Sequence, residues 1–127
     1  MALRFVPTVY DYFQRACRRN DAGFRGVAGE TCLDSDGNSV VFALERGPGG
    51  RIEAVHYRCT TCVTLVALCE RLAEELTGAT VDAASRWTAG RLLSLHAEIP
   101  AVRQDRAMLA VKAVESALHR FTEGERN

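Results

Sequence analysis

The chain of 127 residues has no excess of either charge: Lys and Arg together number 16, Asp and Glu together number 16, and no run of like charge occurs. Without a basic footprint there is nothing to hold a phosphate backbone or an anionic lipid surface, which excludes nucleic acid and membrane as expected partners. Long apolar stretches are missing too. The opening "MALRFVPTVYDYF" falls short of the apolar core of a signal peptide, and no segment approaches the roughly 18 apolar residues of a membrane span. The expected compartment is therefore the cytoplasm. Internal repeats and low-complexity tracts are absent, and the length is too small for two ordinary domains. One domain over 1–127 is expected, with "TEGERN" (122–127) as a flexible, solvated tail.

What the chain does have is a 47% hydrophobic content, enough for one core, and five cysteines. In a reducing compartment an odd cysteine count speaks against a disulfide framework and for metal binding, thiol chemistry or packing. Three of them fall in "YRCTTCVTLVALC" (57–69), where a strand pattern runs into a helix pattern.

The apolar residues Val6, Val9, Tyr10, Phe13, Ala16 and Cys17 recur at helical spacing, which predicts a first amphipathic helix. Gly23, Gly26 and Gly29 then break any helix, leaving an irregular approach and a short edge strand ending near Cys32. "NSVVFALERG" and "GRIEAVHYRC" are β-rich runs joined by the turn signal "GPGG", a hairpin. After Thr61, Cys62, Leu65, Val66, Cys69, Leu72, Ala73 and Leu76 form one helical stripe, and Gly78 is a natural helix end. Thr80 starts a short helix through Trp87, and a second short helix covers Gly90 to Leu95. Pro100 interrupts the chain. A last helix is expected from Gln104 to Phe121, with Ala107, Val111, Val114, Leu118 and Phe121 as its seam. The sum is an α+β fold: a small three-stranded antiparallel sheet with helices packed over one face.

Cys59 and Cys62 form a C-x-x-C pair, the first at a strand end and the second in the first helical turn. Unpaired amide N–H groups and the positive end of the helix dipole favour thiolate there, the form that binds metal or attacks sulfur. Cys32, with Asp34 on the same face of an extended segment, would complete a set of three sulfurs and one oxygen acceptable to zinc or an iron-sulfur cluster. Plainer readings stand beside this one. Cys62 lies on an apolar stripe and can be a core residue, Cys17 and Cys69 read as packing residues, and Asp34 beside "SDGN" reads as a turn former. His56 fits a hydrogen-bonded sheet histidine, and His96 and His119 fit surface or capping roles. A thiol-disulfide oxidoreductase using Cys59 and Cys62 is disfavoured, because a hairpin rather than a βαβ unit precedes the helix.

These residues resemble a known family, the U-type iron-sulfur cluster assembly scaffolds (NifU N-terminal domain and IscU, with a SufE/NifU-like fold). "GETCLDS" is similar to the family's first cysteine followed by Gly-Asp, with Leu33 in place of the glycine. "HYRCTTCVTLVALCERLAEELTG" is similar to its second cysteine, which ends a strand and leads into a long helix. Ile99, Pro100, Ala101, Val102 and Arg103 echo its Leu-Pro-Pro-Val-Lys chaperone-recognition motif. The likeness runs from about Tyr12 to Leu118. It fails where the family carries its third cysteine: Asp105 stands at the preceding histidine and Arg106 at the cysteine itself. Either Cys62 supplies the missing sulfur, or the chain has kept the fold for partner binding, with Arg106 paired to Asp34 or Asp105. The resemblance implies a scaffold or carrier rather than a turnover enzyme. It would bind iron and sulfide at Cys32, Asp34, Cys59 and Cys62, assemble a [2Fe-2S] cluster kept labile by Asp34, and pass it to apo-proteins. Implied partners are a cysteine desulfurase and a chaperone, with the chain working as monomer or homodimer. The alternative it implies is zinc at the same residues, in a structural or sulfur-accepting role.

Overall fold

The computed structural model describes residues 7–19 and 23–125. Helix α1 (Val9–Arg18) begins where Thr8 and Asp11 close a capping box: the Asp11 N–H donates to the Thr8 hydroxyl at 3.3 Å, and the Thr8 N–H donates to the Asp11 carboxylate at 2.7 Å. Val6, at the start of the helix predicted from the sequence, lies outside the described residues.

Strands β3 (Ser39–Arg46) and β4 (Ile52–Cys59) form the expected antiparallel hairpin, with Val40 opposite Cys59 and Leu44 opposite Val55. The expected edge strand comes in two pieces, β1 (Val27–Ala28) and β2 (Cys32–Leu33), both antiparallel to β3 along the same edge. The sheet thus counts four strands but stays three wide, with β3 in the centre. Close packing accounts for the glycine between the pieces. A Cβ on Gly29 would lie 2.5 Å from the Ala117 backbone nitrogen, so only glycine lets the last helix approach the edge.

Directly opposed residues of antiparallel strands share a face. Cys32, Val40, Phe42, Leu44, Val55, Tyr57 and Cys59 therefore line one face, and all belong to the hydrophobic core or pack against it. Helix α2 (Val63–Leu76) covers β4 with Leu65, Leu68, Cys69, Leu72 and Leu76. Its exit is tied back to the sheet, because Gly78 N–H donates to the Ile52 carbonyl at 2.6 Å and Ile52 N–H to that of Ala79 at 2.9 Å. Gly78 takes φ of +84°, which suits glycine just past a helix end.

Helix α3 (Val81–Ala84), capped by Thr80, is shorter than predicted, and the chain turns before Trp87. Helix α4 (Ala89–Leu95) follows, capped by Thr88. Helix α5 (Asp105–Glu125) packs along β3 through the predicted seam of Ala107, Val111, Val114, Leu118 and Phe121. It runs past Phe121, so the first four residues of the expected solvated tail are helical; the Thr122 hydroxyl donates to the Leu118 carbonyl one turn back at 3.1 Å. Among the described residues no helix is long and apolar enough to cross a membrane.

Candidate functional site

Cys32 in β2 and Cys59 in β4 both register with Val40 of β3, one on each side. Two strand spacings separate them, about 10 Å between Cα atoms, with both side chains on the core face. Both are half-buried. The sheet register thus places these two cysteines, 27 positions apart in the chain, in one row at the end of the sheet where α2 begins.

Cys62 departs from its expected place. It is not in the first turn of α2 but is the N-cap residue, with extended backbone at φ −135° and ψ 122°. This takes it off the helical stripe on which its spacing put it, and leaves its sulfur half-buried beside two guanidinium groups. Arg103 Nη1 lies 3.8 Å from Cys62 Sγ, and Arg106 interacts with the same sulfur. Burial alone would raise the Cys62 thiol; the N–H groups of Leu65 and Thr64 and the Arg106 cation outweigh it, and the thiol falls below its ordinary value.

Arg106 is largely buried, 12% exposed in its side chain, and pairs with Asp105 at 2.8 Å and with Asp36 at 3.2 Å. The Asp105 partner matches the pairing considered from the sequence, whereas Asp36 takes the place considered for Asp34. Asp34 itself is turned into the 34–38 loop. Its Oδ1 accepts the N–H groups of Asp36 at 2.9 Å and Asn38 at 2.8 Å, and its Oδ2 accepts the Asn38 side-chain amide at 3.0 Å. The Asn38 amide leads the contacts that hold this carboxyl below the usual range. The turn-forming role is therefore real, while the Asp34 N–H donates to the Asn38 carbonyl at 3.1 Å and so carries the β2–β3 pairing one residue past Leu33. Oxygens of Asp34, Asp36 and Asp105 lie within 4.8 Å of one another. Among the described residues Cys32, Cys59 and Cys62 form no group that tight.

Cys69 is buried, as its stripe predicts, in the core cluster against which Cys59 packs. The neighbouring Cys69 thiol holds the Cys59 thiol below its ordinary value against the opposing effect of burial, while burial, together with Cys59 and Glu70, pushes the Cys69 thiol well up. Burial also raises the Cys32 thiol, which points at the Glu30 carbonyl 3.8 Å away. Beside Cys69 in the chain, buried Glu70 accepts the Tyr57 hydroxyl at 2.8 Å and pairs with Arg19 at 2.9 Å.

Among the remaining candidates, His56 bonds Glu45 at 2.8 Å across the sheet as expected, and exposed His119 pairs with Glu123. His96 is not at the surface. It caps the C-terminus of α4 facing inward, 1% exposed, with its ring edge-on to Tyr12 and Arg71 Nη1 3.4 Å from Nε2. Cys17 is exposed rather than packed, since α1 turns its Tyr12 side to the core. In the loop 99–103, Ile99 is a buried anchor, while Pro100, Ala101, Val102 and Arg103 are exposed on a 3-10 turn next to Cys62. Val102, Leu33, Val63 and Met108 are large apolar side chains left exposed on segments that carry these residues. A groove of about 550 Å³ opens beside Asp34, walled by Ala89, Asp105, Met108 and Lys112.

A family model described as NifU-like N terminal domain matches residues 20–127. A search of curated proteins gave no match.

Proposed function

Because the chain belongs to the family of NifU-like N-terminal domains, we propose that it is an iron-sulfur cluster assembly scaffold. In this reading it takes up iron and sulfide on Cys32, Cys59 and Cys62, builds a [2Fe-2S] cluster and hands it to apo-proteins. The observation that supports the reading is that three half-buried, free cysteines lie toward one end of the sheet, two in register with Val40 and the third at the N-cap of α2. Thiolates suit iron, and Cys59 and Cys62 are the two whose environment favours that form. Closure of the row onto a cluster requires the ligand-bearing segments to approach one another, and β2, two residues long at the sheet edge, is a short segment that can move to allow it.

Arg103 and Arg106 offset the negative charge that several thiolates and a carboxylate accumulate around the cargo. Asp34 supplies the weaker, exchangeable oxygen once Asn38 releases it. The role is that of a carrier, with no substrate turned over. A cysteine desulfurase is the sulfur source, and the exposed turn Pro100–Arg103 is the recognition loop for a chaperone. Both act in the cytoplasm on a monomer or a homodimer.

Anaerobic reconstitution tests this, with iron, zinc and acid-labile sulfide measured beside the visible spectrum. The native chain should take up iron and sulfide in near-equal amounts, and Cys62→Ala should lose them. Zinc alone, or no metal, sinks the proposal. A second reading, a zinc-binding or partner-binding module, is favoured by the ion pairs of Arg106 with Asp36 and Asp105, which set a cation in place of the family's third sulfur. It expects replacement of Cys32, Cys59 and Cys62 by Ala to leave biological activity intact.

A further inference from the structure

The central strand β3 begins at Ser39, and the residue before it closes the end of the sheet. Asn38 is only 9% exposed, and its side-chain amide is bonded on both sides. Toward β2 its Nδ2 donates to Asp34 Oδ2 at 3.0 Å. Toward β4 its Oδ1 accepts the Thr60 hydroxyl at 3.1 Å. Chemistry fixes the sense of both bonds. A carboxylate only accepts, so the amide NH2 faces Asp34. The Thr60 oxygen already accepts the Ser39 N–H at 3.2 Å, which leaves the hydroxyl hydrogen for the Asn38 carbonyl. Asp34 lies two residues past Cys32; Thr60 follows Cys59, and its carbonyl accepts the Cys62 N–H at 2.9 Å. β2 and β4 each pair with β3, on opposite sides. The Asn38 side chain therefore ties the Cys32 segment to the segment from Cys59 to Cys62 across the end of the central strand.

We infer that Asn38 is a positioning residue of the cargo site, a latch whose amide competes with iron for the Asp34 carboxylate and so sets how readily the cargo is given up. The role in release rests on the scaffold reading above; the bridge from Asp34 to Thr60 does not. In the free chain the amide holds Asp34 Oδ2. Iron that takes this oxygen displaces a hydrogen bond to a charged group. Burial gives the competition its force, because an exposed amide would be satisfied by water, whereas one this buried is left without a partner until it returns to the carboxylate. Its return draws the oxygen off iron. Thr60 acts one step further back. Its hydroxyl keeps the amide turned toward Asp34; without it the buried Oδ1 loses the bond that orients the group.

Release is read as the loss of visible absorbance when EDTA is added after anaerobic reconstitution with iron and sulfide, expressed per iron bound. Thr60→Val should slow release about tenfold, the size of one hydrogen bond to a charged group, and Thr60→Ser should restore the native rate. Asn38→Leu should slow it as much. The deciding comparison is made in Asp34→Ala, which has no carboxylate to compete for: adding Thr60→Val there should leave the release rate where it was. Equal slowing in both backgrounds, or no slowing in the native one, overturns the latch. Proton-nitrogen correlation NMR of the metal-free chain tests the bridge alone. Thr60→Val should move the Asn38 side-chain NH2 signals and speed hydrogen exchange at the Asp36 and Asn38 N–H groups, both of which donate to Asp34 Oδ1. Unmoved signals with unchanged exchange overturn the bridge. If no variant takes up iron and sulfide, the scaffold reading and the release role fail together, while the NMR result still decides the bridge.

Discussion

Glu70 is a charged side chain only 4% exposed, and its removal gives a prediction whose size the geometry fixes. Its carboxylate accepts the Tyr57 hydroxyl at 2.8 Å and the Arg19 guanidinium at 2.9 Å, joining α2, β4 and the residue that follows α1. Glu70→Ala strands both partners. A hydrogen bond to a charged group contributes about 1.5–3 kcal/mol, and breaking a buried ion pair from one side costs about 3–5 kcal/mol. Arg19 is one-third exposed in its side chain and regains water, which holds the total toward the lower end. We expect a loss of about 3 kcal/mol, a large share of the roughly 5–15 kcal/mol of a whole domain. At about 3–4 °C per kcal/mol for a chain of this length, the melting temperature should fall by about 10 °C. Glu74→Ala is the control: it breaks the pair with Arg15 at 3.0 Å, but both side chains are about 40% exposed, and such pairs contribute about 0–1 kcal/mol. Circular dichroism melts of both variants read the contrast. Equal shifts, or a fall below about 3 °C for Glu70→Ala, would refute the argument that burial makes this network matter. The site should feel the change as well, because Tyr57 lies on the face of β4 that carries Cys59, and Glu70 adjoins Cys69 in α2.

Arg106→Cys puts sulfur where the family carries its third cysteine and removes the pairs with Asp36 and Asp105; iron and sulfide uptake on reconstitution should rise above native, and Cys62→Ala should then no longer abolish it. His96 is held below its ordinary value by burial first and by Arg71 second, with Glu98 opposing. Its folded value lies below the unfolded one, so the unfolded chain binds the extra proton: its contribution to stability is complete above about pH 6.5 and is lost as pH falls toward the folded value. Melts between pH 7 and 5 should fall more steeply for the native chain than for His96→Gln; parallel curves would refute this. Gly29→Ala forces a Cβ to within 2.5 Å of the Ala117 nitrogen, and chemical denaturation should show a loss of about 1–3 kcal/mol, whereas Gly37→Ala meets no close neighbour and is strained only by its φ of +85°.

The sequence by itself determined the elements whose physics is local. The period of β3 and β4 about "GPGG", the stripe of α2 and the seam of α5 follow from alternation and helical spacing, and Thr80 and Gly78 mark ends through their own side-chain and backbone chemistry. The family likeness was legible for the same reason, since it resides in short segments such as "TCLDS" and "YRCTTC". Tertiary structure decided what depends on approach between distant segments. Only the register through Val40 sets Cys32 and Cys59 in one row, and only the approach of the segment after Pro100 sets Arg103 and Arg106 beside Cys62. The two-piece edge strand belongs here as well, being shaped by how closely α5 packs over Gly29. His96 shows the limit most plainly: nothing in its neighbours along the chain says that Tyr12 and Arg71 will close over it. Periodicity reports which side of an element is apolar; which groups then meet on that side is fixed by packing between elements, which no single segment encodes.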